Sequence, residues 1–214
     1  MNCRQCSGIE AWFDKKVVAR ELSRYRKKGP RKTTRTLIDA VKSEGVEGMT
    51  LLDIGGGVGA IQHELLKAGA GSVVSVDAST AYVEAAEDDA KRQGHADRVH
   101  YLYGDFVNLA SDIPEVDIVT LDRVICCYDN MEALVRLSSM RARKFYGLVY
   151  PRDAWWIKLA NPVGNFCLWV SRNPFRIFVH PTEAVDAVVR SNGLERCFYR
   201  KTLIWQVVVY ARRN

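Results

Sequence analysis

Several absences bound this 214-residue chain. No run approaches the ~20 apolar residues that a membrane-spanning helix needs. The N-terminal M-N-C-R-Q-C lacks the apolar stretch of a secretory signal, so the expected compartment is the cytoplasm. The six cysteines, Cys3, Cys6, Cys126, Cys127, Cys167 and Cys197, do not follow the spacing of a secreted disulfide framework. Cys3 and Cys6 form one C-x-x-C with no second pair, so a zinc site would need two ligands from far away. No metal is expected, and the pair reads as a reduced N-terminus. No repeat or low-complexity segment is evident. Hydrophobic residues make up 48% of the chain, enough for a buried core, which excludes global disorder. One domain is expected over 1–214.

Acids are scarce in one place. Between Lys15 and Arg35 ten lysines and arginines face a single acid, Glu21, and this block carries much of the net charge of +6. Such a block meets nucleic acid, an acidic membrane surface or an anionic small molecule, or it is a solvated helix face. Residues 10–28 carry an incomplete apolar stripe and read as a helix stopped by Gly29-Pro30. Thr33 or Thr34 can cap a second helix through Leu37, Ile38 and Val41. Residues 1–44 are thus a helical arm ahead of the first strand.

The period then changes. Short apolar runs at 51–54, 72–76, 99–103, 116–121 and 145–150 alternate with helical patterns at 60–68, from Ser79 or Thr80 to about 94, and at 131–142. Near-continuous apolar strands between helices predict a parallel sheet covered on both faces. After Pro151 the rhythm breaks. Residues 153–180 hold Trp155, Trp156, Phe166, Trp169, Phe175 and Phe178, interrupted by Pro162, Gly164 and Pro174. The segment reads either as an aromatic lid over an apolar substrate or as a helix packed on the sheet; a membrane-surface or dimer contact is a further reading. A helix at 181–191 and two strands, 194–200 and 203–210, close the chain, the strands as antiparallel neighbours.

The chemistry concentrates in M-T-L-L-D-I-G-G-G-V-G, residues 49–59. A strand ends in an acid and turns through four glycines into a helix. Glycine permits the sharp turn and lets a ligand lie against backbone, and the helix start offers unpaired N–H groups. Gly55-x-Gly57-x-x-Ala60 satisfies a loose dinucleotide fingerprint, with Asp77 at the distance of a ribose ligand. Three features point elsewhere: Asp53 two residues before the first glycine, a second acid in Gly104-Asp105-Phe106, and the closing strand–turn–strand.

L-L-D-I-G-G-G-V-G (51–59), S-V-D-A-S (75–79), Y-G-D-F (103–106), D-I-V-T-L-D-R-V (117–124) and the closing hairpin together resemble the class I S-adenosylmethionine-dependent methyltransferases. The resemblance covers most of residues 45–214. It implies an α/β, Rossmann-like seven-stranded sheet of order 3-2-1-4-5-7-6 with the last strand antiparallel. It also implies that the backbone of Gly55, Gly56, Gly57 and Gly59 passes the methionine part of the cofactor, with Asp53 near its ammonium. Asp77, followed by Ala78, would take the ribose hydroxyls. Asp105, after Gly104, would accept from the adenine amino group with Phe106 beside the ring, and Asp122 and Arg123 would lie where cofactor meets substrate. Y-R-K-K-G (25–29) and the glycine loop add a similarity to magnesium-protoporphyrin O-methyltransferases, which would let Tyr25 and Arg31 close over the cofactor.

The implied activity is methyl transfer to a small, apolar or aromatic molecule by a monomer or homodimer, with no nucleic acid partner. His180, Asp122 and Arg123 are the catalytic candidates; His180 is either a base or a partly buried histidine before a helix. Cys126 and Cys127 either bind a soft substrate or pack. Two other readings stand beside this one. The basic block favours an RNA or protein methyltransferase, although no N-P-P-Y-type tetrapeptide follows the fourth strand. The looser glycine fingerprint suits an NAD-dependent or non-catalytic cofactor-binding protein.

Overall fold

The computed structural model describes residues 4–213. Three helices come first: α1 (Arg4–Trp12), α2 (Lys15–Lys28) and α3 (Lys32–Lys42). The expected single helix over 10–28 is divided because Asp14 caps a new start, its Oδ1 accepting from Lys16 N at 2.9 Å and Val17 N at 2.8 Å. The cap of α3 is also placed differently. Arg31 occupies it without a side-chain bond, and Thr33 and Thr34 fall inside the first turn with their hydroxyls turned to other partners. The side chains of the Cys3–Cys6 pair lie outside the described residues. Among the described residues Cys126, Cys127, Cys167 and Cys197 are free thiols.

The alternating part follows the apolar pattern closely: β1 (Thr50–Ile54), α4 (Ala60–Lys67), β2 (Ser72–Asp77), α5 (Thr80–Gln93), β3 (Val99–Tyr103), the short α6 (Phe106–Leu109), β4 (Val116–Asp122), α7 (Met131–Met140) and β5 (Ala142–Pro151). After β5 come α8 (Trp155–Val170), α9 (Thr182–Ser191), β6 (Leu194–Lys201) and β7 (Trp205–Arg212). The sheet order is β3-β2-β1-β4-β5-β7-β6. Strands β1 to β5 pair in parallel, and β7 runs antiparallel to both β5 and β6, as the resemblance implied.

The central strands are buried on both faces, which is why they read as unbroken apolar runs. One core fills the face under α6, α7 and α9 around Leu52, Leu121, Leu134, Tyr146 and Leu148. The other lies under α3 and α4 around Leu37, Val41, Leu51, Leu65 and Val149. In the second, α3 rests on β5 where Gly147 leaves room: a Cβ there would stand 2.7 Å from Leu37 Cδ1.

The segment 153–180 departs from both of its main expected forms. It builds one 16-residue helix, α8, despite Pro162 within it. Proline removes a single backbone donor from the ladder, and side-chain bonds from Asn161 and Asn165 to Ile177 replace the lost anchoring. Among the described residues none of 153–180 lines the cavity that holds the predicted site residues, so the segment is not a lid in this structure.

Leu37 is fully buried between α3 and the β5–β7 region. Leu37→Ala is expected to lower unfolding free energy by about 2–5 kcal/mol, the range for emptying a core position, as a fall in the urea midpoint with unchanged slope.

Candidate active site

Parallel strands point their carboxyl ends to one side of a sheet, and ligands bind in the crevice outside those ends where strand order reverses. Here the reversal falls between β1 and β4. Asp53 on β1, Asp77 at the end of β2, Asp105 after β3, and Asp122 at the end of β4 all reach one cavity there. The cavity occupies about 1210 Å³ counted to its open mouth. Gly55, Gly56, Gly57, Ala78, Gly104, Phe106 and Arg123 complete the wall on the sheet side.

The glycine loop is shaped by what surrounds it. Gly55 has φ 64° and a Cβ there would stand 2.4 Å from Val124 Cγ2. At Gly56 a Cβ would meet Ser75 Oγ at 2.6 Å and Asp53 Oδ2 at 3.2 Å. The loop is tied to the next strand by Gly55 N donating to Val76 O at 2.7 Å and Gly57 N donating to Asp77 Oδ2 at 3.0 Å. Gly59 stands apart from the other glycines. It caps α4 with φ 78°, where a side chain would collide with Gln62 and His63, and it does not line the cavity.

The acids are held in different ways. Asp53 is 1% exposed; its Oδ1 accepts from Thr120 Oγ1 at 2.7 Å, and its Oδ2 has no donor among the described residues. Burial, with Asp122 and Asp77 nearby, pushes its carboxyl up to about 7 against the Thr120 bond. Asp77 accepts from Ser79 N at 2.9 Å besides Gly57 N; burial still raises it to about 6. Asp122 is raised by burial and held down by Arg123 and by Thr34, whose Oγ1 donates to Asp122 Oδ2 at 2.5 Å. Asp105 caps α6 through Val107 N at 3.1 Å and accepts Tyr128 OH at 3.0 Å, so it is both a helix cap and a cavity wall.

The opposite wall comes from the N-terminal arm: Ile9, Phe13, Glu21, Arg24, Arg31 and Thr34. Polar links pin this arm to α5. Tyr82 OH donates to Glu21 Oε2 at 2.5 Å, Ser79 Oγ donates to Phe13 O at 3.2 Å, and Thr80 binds Glu10 through its N–H and hydroxyl. Arg123 has φ 63°, donates to Thr33 Oγ1 at 2.5 Å, lies 3.7 Å from Asp122, and stacks its guanidinium 4.9 Å above Trp205. Arg24 is lowered below the usual arginine range by burial and by the neighbouring Arg31.

Two expected site residues are placed elsewhere. Tyr25 is buried, stacks on His63 at 6.4 Å and lies 3.5 Å from Glu64 Oε1, away from the cavity wall. His180 Nε2 is 2.9 Å from Tyr128 O and 3.1 Å from Ile125 O. Carbonyls only accept, so that nitrogen carries the proton and holds the loop after β4; it is a strut and not a base facing the cavity. The residues that sequence reading passed over are Arg24, Thr33, Thr34 and Tyr82. The K-T-T-R-T doublet was the available signal for the threonines, although the same residues also suit a helix cap.

The buried acids fit a cation-bearing ligand. Asp53 Oδ2 is a buried acceptor with no donor, which is costly unless something supplies one. An ammonium beside Asp53 and hydroxyls at Asp77 would satisfy these groups, and the glycine loop leaves backbone open between them. Gly55→Ala is expected to cost about 1–3 kcal/mol from its left-handed φ alone, and its contact with Val124 adds to this; a chemical denaturation curve measures it. A pH effect follows from Asp53. Its folded value, about 7, lies above the ordinary 3.8, so between these limits the native state holds a proton that the unfolded chain releases. The contribution of Asp53 to stability therefore falls as pH rises through that window. His63, lowered by burial to about 4, works in the opposite sense. The difference in unfolding free energy between the native protein and Asp53→Asn is thus expected to turn against the native protein from about pH 4 to about pH 7; a flat difference would contradict the assignment.

Solved structures share this arrangement. Magnesium protoporphyrin IX methyltransferase from Synechocystis PCC 6803 with bound SAH matches at TM-score 0.73 and 16% identity, over 96% of this chain and 98% of that one. A putative methyltransferase in complex with the Trm112 methyltransferase activator of Haloferax volcanii matches at TM-score 0.70 and 15% identity, over 96% and 97%. An O-methyltransferase family protein from Burkholderia thailandensis matches at TM-score 0.68 and 16% identity, over 94% of this chain and 61% of that one. At these identities the likeness is one of fold. No curated protein matches the sequence. A family model described as a methyltransferase domain matches residues 51–142, the stretch from β1 to the start of β5 that supplies Asp53, the glycine loop, Asp77, Asp105 and Asp122. That domain sits at the switch point of this sheet, so residues 51–142 are similar to a methyltransferase domain and the chain around them has the methyltransferase fold.

Proposed function

We propose that the protein methylates a small, apolar or aromatic molecule, and that this molecule carries an acidic group. The observation that supports this is the roofed cavity. Its sheet side holds the acids, while the arm and the loop after β4 close it with Ile9, Phe13 and Val124 and with three guanidiniums, Arg24, Arg31 and Arg123. S-adenosylmethionine, when bound, supplies a methyl group on a positively charged sulfur. The chain's own part is to hold, orient and exclude water. Asp53 accepts from the ammonium, Asp77 from the ribose hydroxyls, and Asp105 from the adenine amino group with Phe106 beside the ring. Asp122 and Arg123, fixed by Thr34 and Thr33, set the boundary between cofactor and acceptor. Arg123 with Arg24 and Arg31 suits a carboxylate on the acceptor. The Synechocystis neighbour acts on a porphyrin, which is consistent with a large flat acceptor and does not specify one.

The basic block gives the RNA reading little support. Arg24 and Arg31 line the cavity, Arg26 pairs with buried Asp89 at 2.8 Å, Lys15 with Glu84 at 2.9 Å, and Arg31 with Glu21 at 3.2 Å. Four of the ten cations are thus taken up by the cavity wall or by pairing within the protein.

Calorimetric titration with S-adenosylhomocysteine tests the cofactor roles. Asp77→Ala is expected to weaken binding at least about tenfold, the loss of charge-assisted hydrogen bonds, while Asp88→Ala, on the exposed side of α5, binds as the native protein does. Labelled S-adenosylmethionine with fractionated cell extract tests the acceptor. Label is expected in the small-molecule fraction; label confined to RNA or protein would overturn the acceptor class and leave the cofactor assignment intact.

A further inference from the structure

Helix α8 buries only Ile157 and Leu168 of its apolar side chains and leaves its longer apolar stripe exposed. Trp155, Leu159, Val163, Phe166 and Val170 recur on one face and are each 60–74% exposed, with Trp169 beside them at 62%. Asparagines face the protein instead. Asn161 Nδ2 and Asn165 Nδ2 donate to Ile177 O at 3.0 and 2.8 Å, and Asn165 Oδ1 accepts from Ile177 N at 2.8 Å. Surface helices normally bury the apolar stripe and expose the polar one. A contiguous stripe of this size marks a surface that is covered in use.

The surroundings say what covers it. From Arg152 to His180 the chain has Arg152, Lys158, Arg172 and Arg176 against one acid, Asp153. The β6–β7 turn adjoins the same region, because Arg152 N donates to Ile204 O at 2.8 Å and Arg152 Nη1 donates to Thr202 O at 3.2 Å. That turn exposes Leu203 (73%) and Ile204 (44%) next to Arg200 and Lys201. An isologous contact with a second copy would set these cations against themselves. A surface that is apolar and anionic matches both features at once.

We propose that α8 and the β6–β7 turn dock the protein on an anionic lipid bilayer. The helix lies in the plane of the interface, its apolar stripe reaching below the headgroups and the cations meeting them. At 16 residues it is about 24 Å long, and no helix among the described residues is long and apolar enough to cross a membrane. The segment after α8 packs on the arm: Trp12 stacks on buried Phe175 at 5.6 Å, and Phe13, next to Trp12, lines the cavity wall.

The test is cosedimentation of the full chain with vesicles of phosphatidylcholine alone or with about 30% phosphatidylglycerol, at about 0.15 M salt. Binding to the anionic vesicles at least about tenfold tighter than to neutral ones is expected. The triple variant W155S/F166S/W169S is expected to lose that binding about tenfold or more while keeping its melting temperature, since all three side chains are exposed. Lys158→Glu with Lys201→Glu tests the charge separately and is expected to weaken binding several-fold. Absence of vesicle binding, or undiminished binding by the triple variant, overturns the proposal. A stable dimer of the native chain that the triple variant dissociates, without vesicle binding, overturns it in favour of self-association.

Discussion

Three largely buried carboxylates at the ends of parallel strands, two of them with an oxygen that has no donor among the described residues, are the constraint around which the rest of the molecule is arranged. Asp122 and Asp77 sit close enough to Asp53 to raise it, and the positions of the three follow from the register of β1, β2 and β4. The sheet cannot relieve them by moving, because each is fixed at the end of a strand whose other side chains fill the core. Relief comes from three sources: loop N–H groups at Asp77, hydroxyls at Asp53 and Asp122, and the open glycine backbone, where a cationic ligand can enter. Affinity for a cationic ligand thus rests on carboxylate oxygens that the donors among the described residues leave unmatched.

The arm completes the site from the other side. Its polar contacts lie at the cavity rim, Glu21 with Tyr82, Glu10 with Thr80, Arg26 with Asp89, Thr33 and Thr34 with the β4 end, and beside them Val18 and Tyr25 pack in a small buried cluster with Val58, Ala81 and Tyr82. Helix α3 is different, since Leu37, Ile38 and Val41 lie fully within the core. The arm is therefore anchored in the main core at its third helix and in a smaller cluster at its second, with Gly29 at φ 70° between these two helices. Such a division suits a roof that must open for exchange of ligands while keeping Asp122 and Arg123 in place.

Much of this was legible in the sequence because it is encoded locally. The glycine loop, Asp53, Asp77 and Asp105 each end a strand, and a strand end is visible in an apolar run closed by an acid. The sheet order followed from the family resemblance, and the structure bears it out. What was not legible depends on contacts far apart in the chain. Thr33 reaches Arg123 and Thr34 reaches Asp122 across 90 and 88 positions, yet locally both look like caps. Tyr25 and His180 carry suitable chemistry and are turned to other work by His63 and by two carbonyls. Helix α8 was obscured by Pro162 and Gly164, whose local cost is outweighed by the bonds to Ile177.

The order of strands at the far edge has a consequence for biogenesis. Strand β7 lies between β5 and β6, so β6 reaches the sheet only through β7. A nascent chain that has emerged as far as β6 offers it no place to pair. Until β7 emerges, the hydrogen-bonding edge of β5 along Leu148, Val149 and Tyr150 stays open beside some of the most buried side chains of the molecule. An unpaired edge of this kind is a template for pairing with another chain. The vulnerable period in the life of this protein is therefore its translation, during the interval in which α8, α9 and β6 exist and β7 does not.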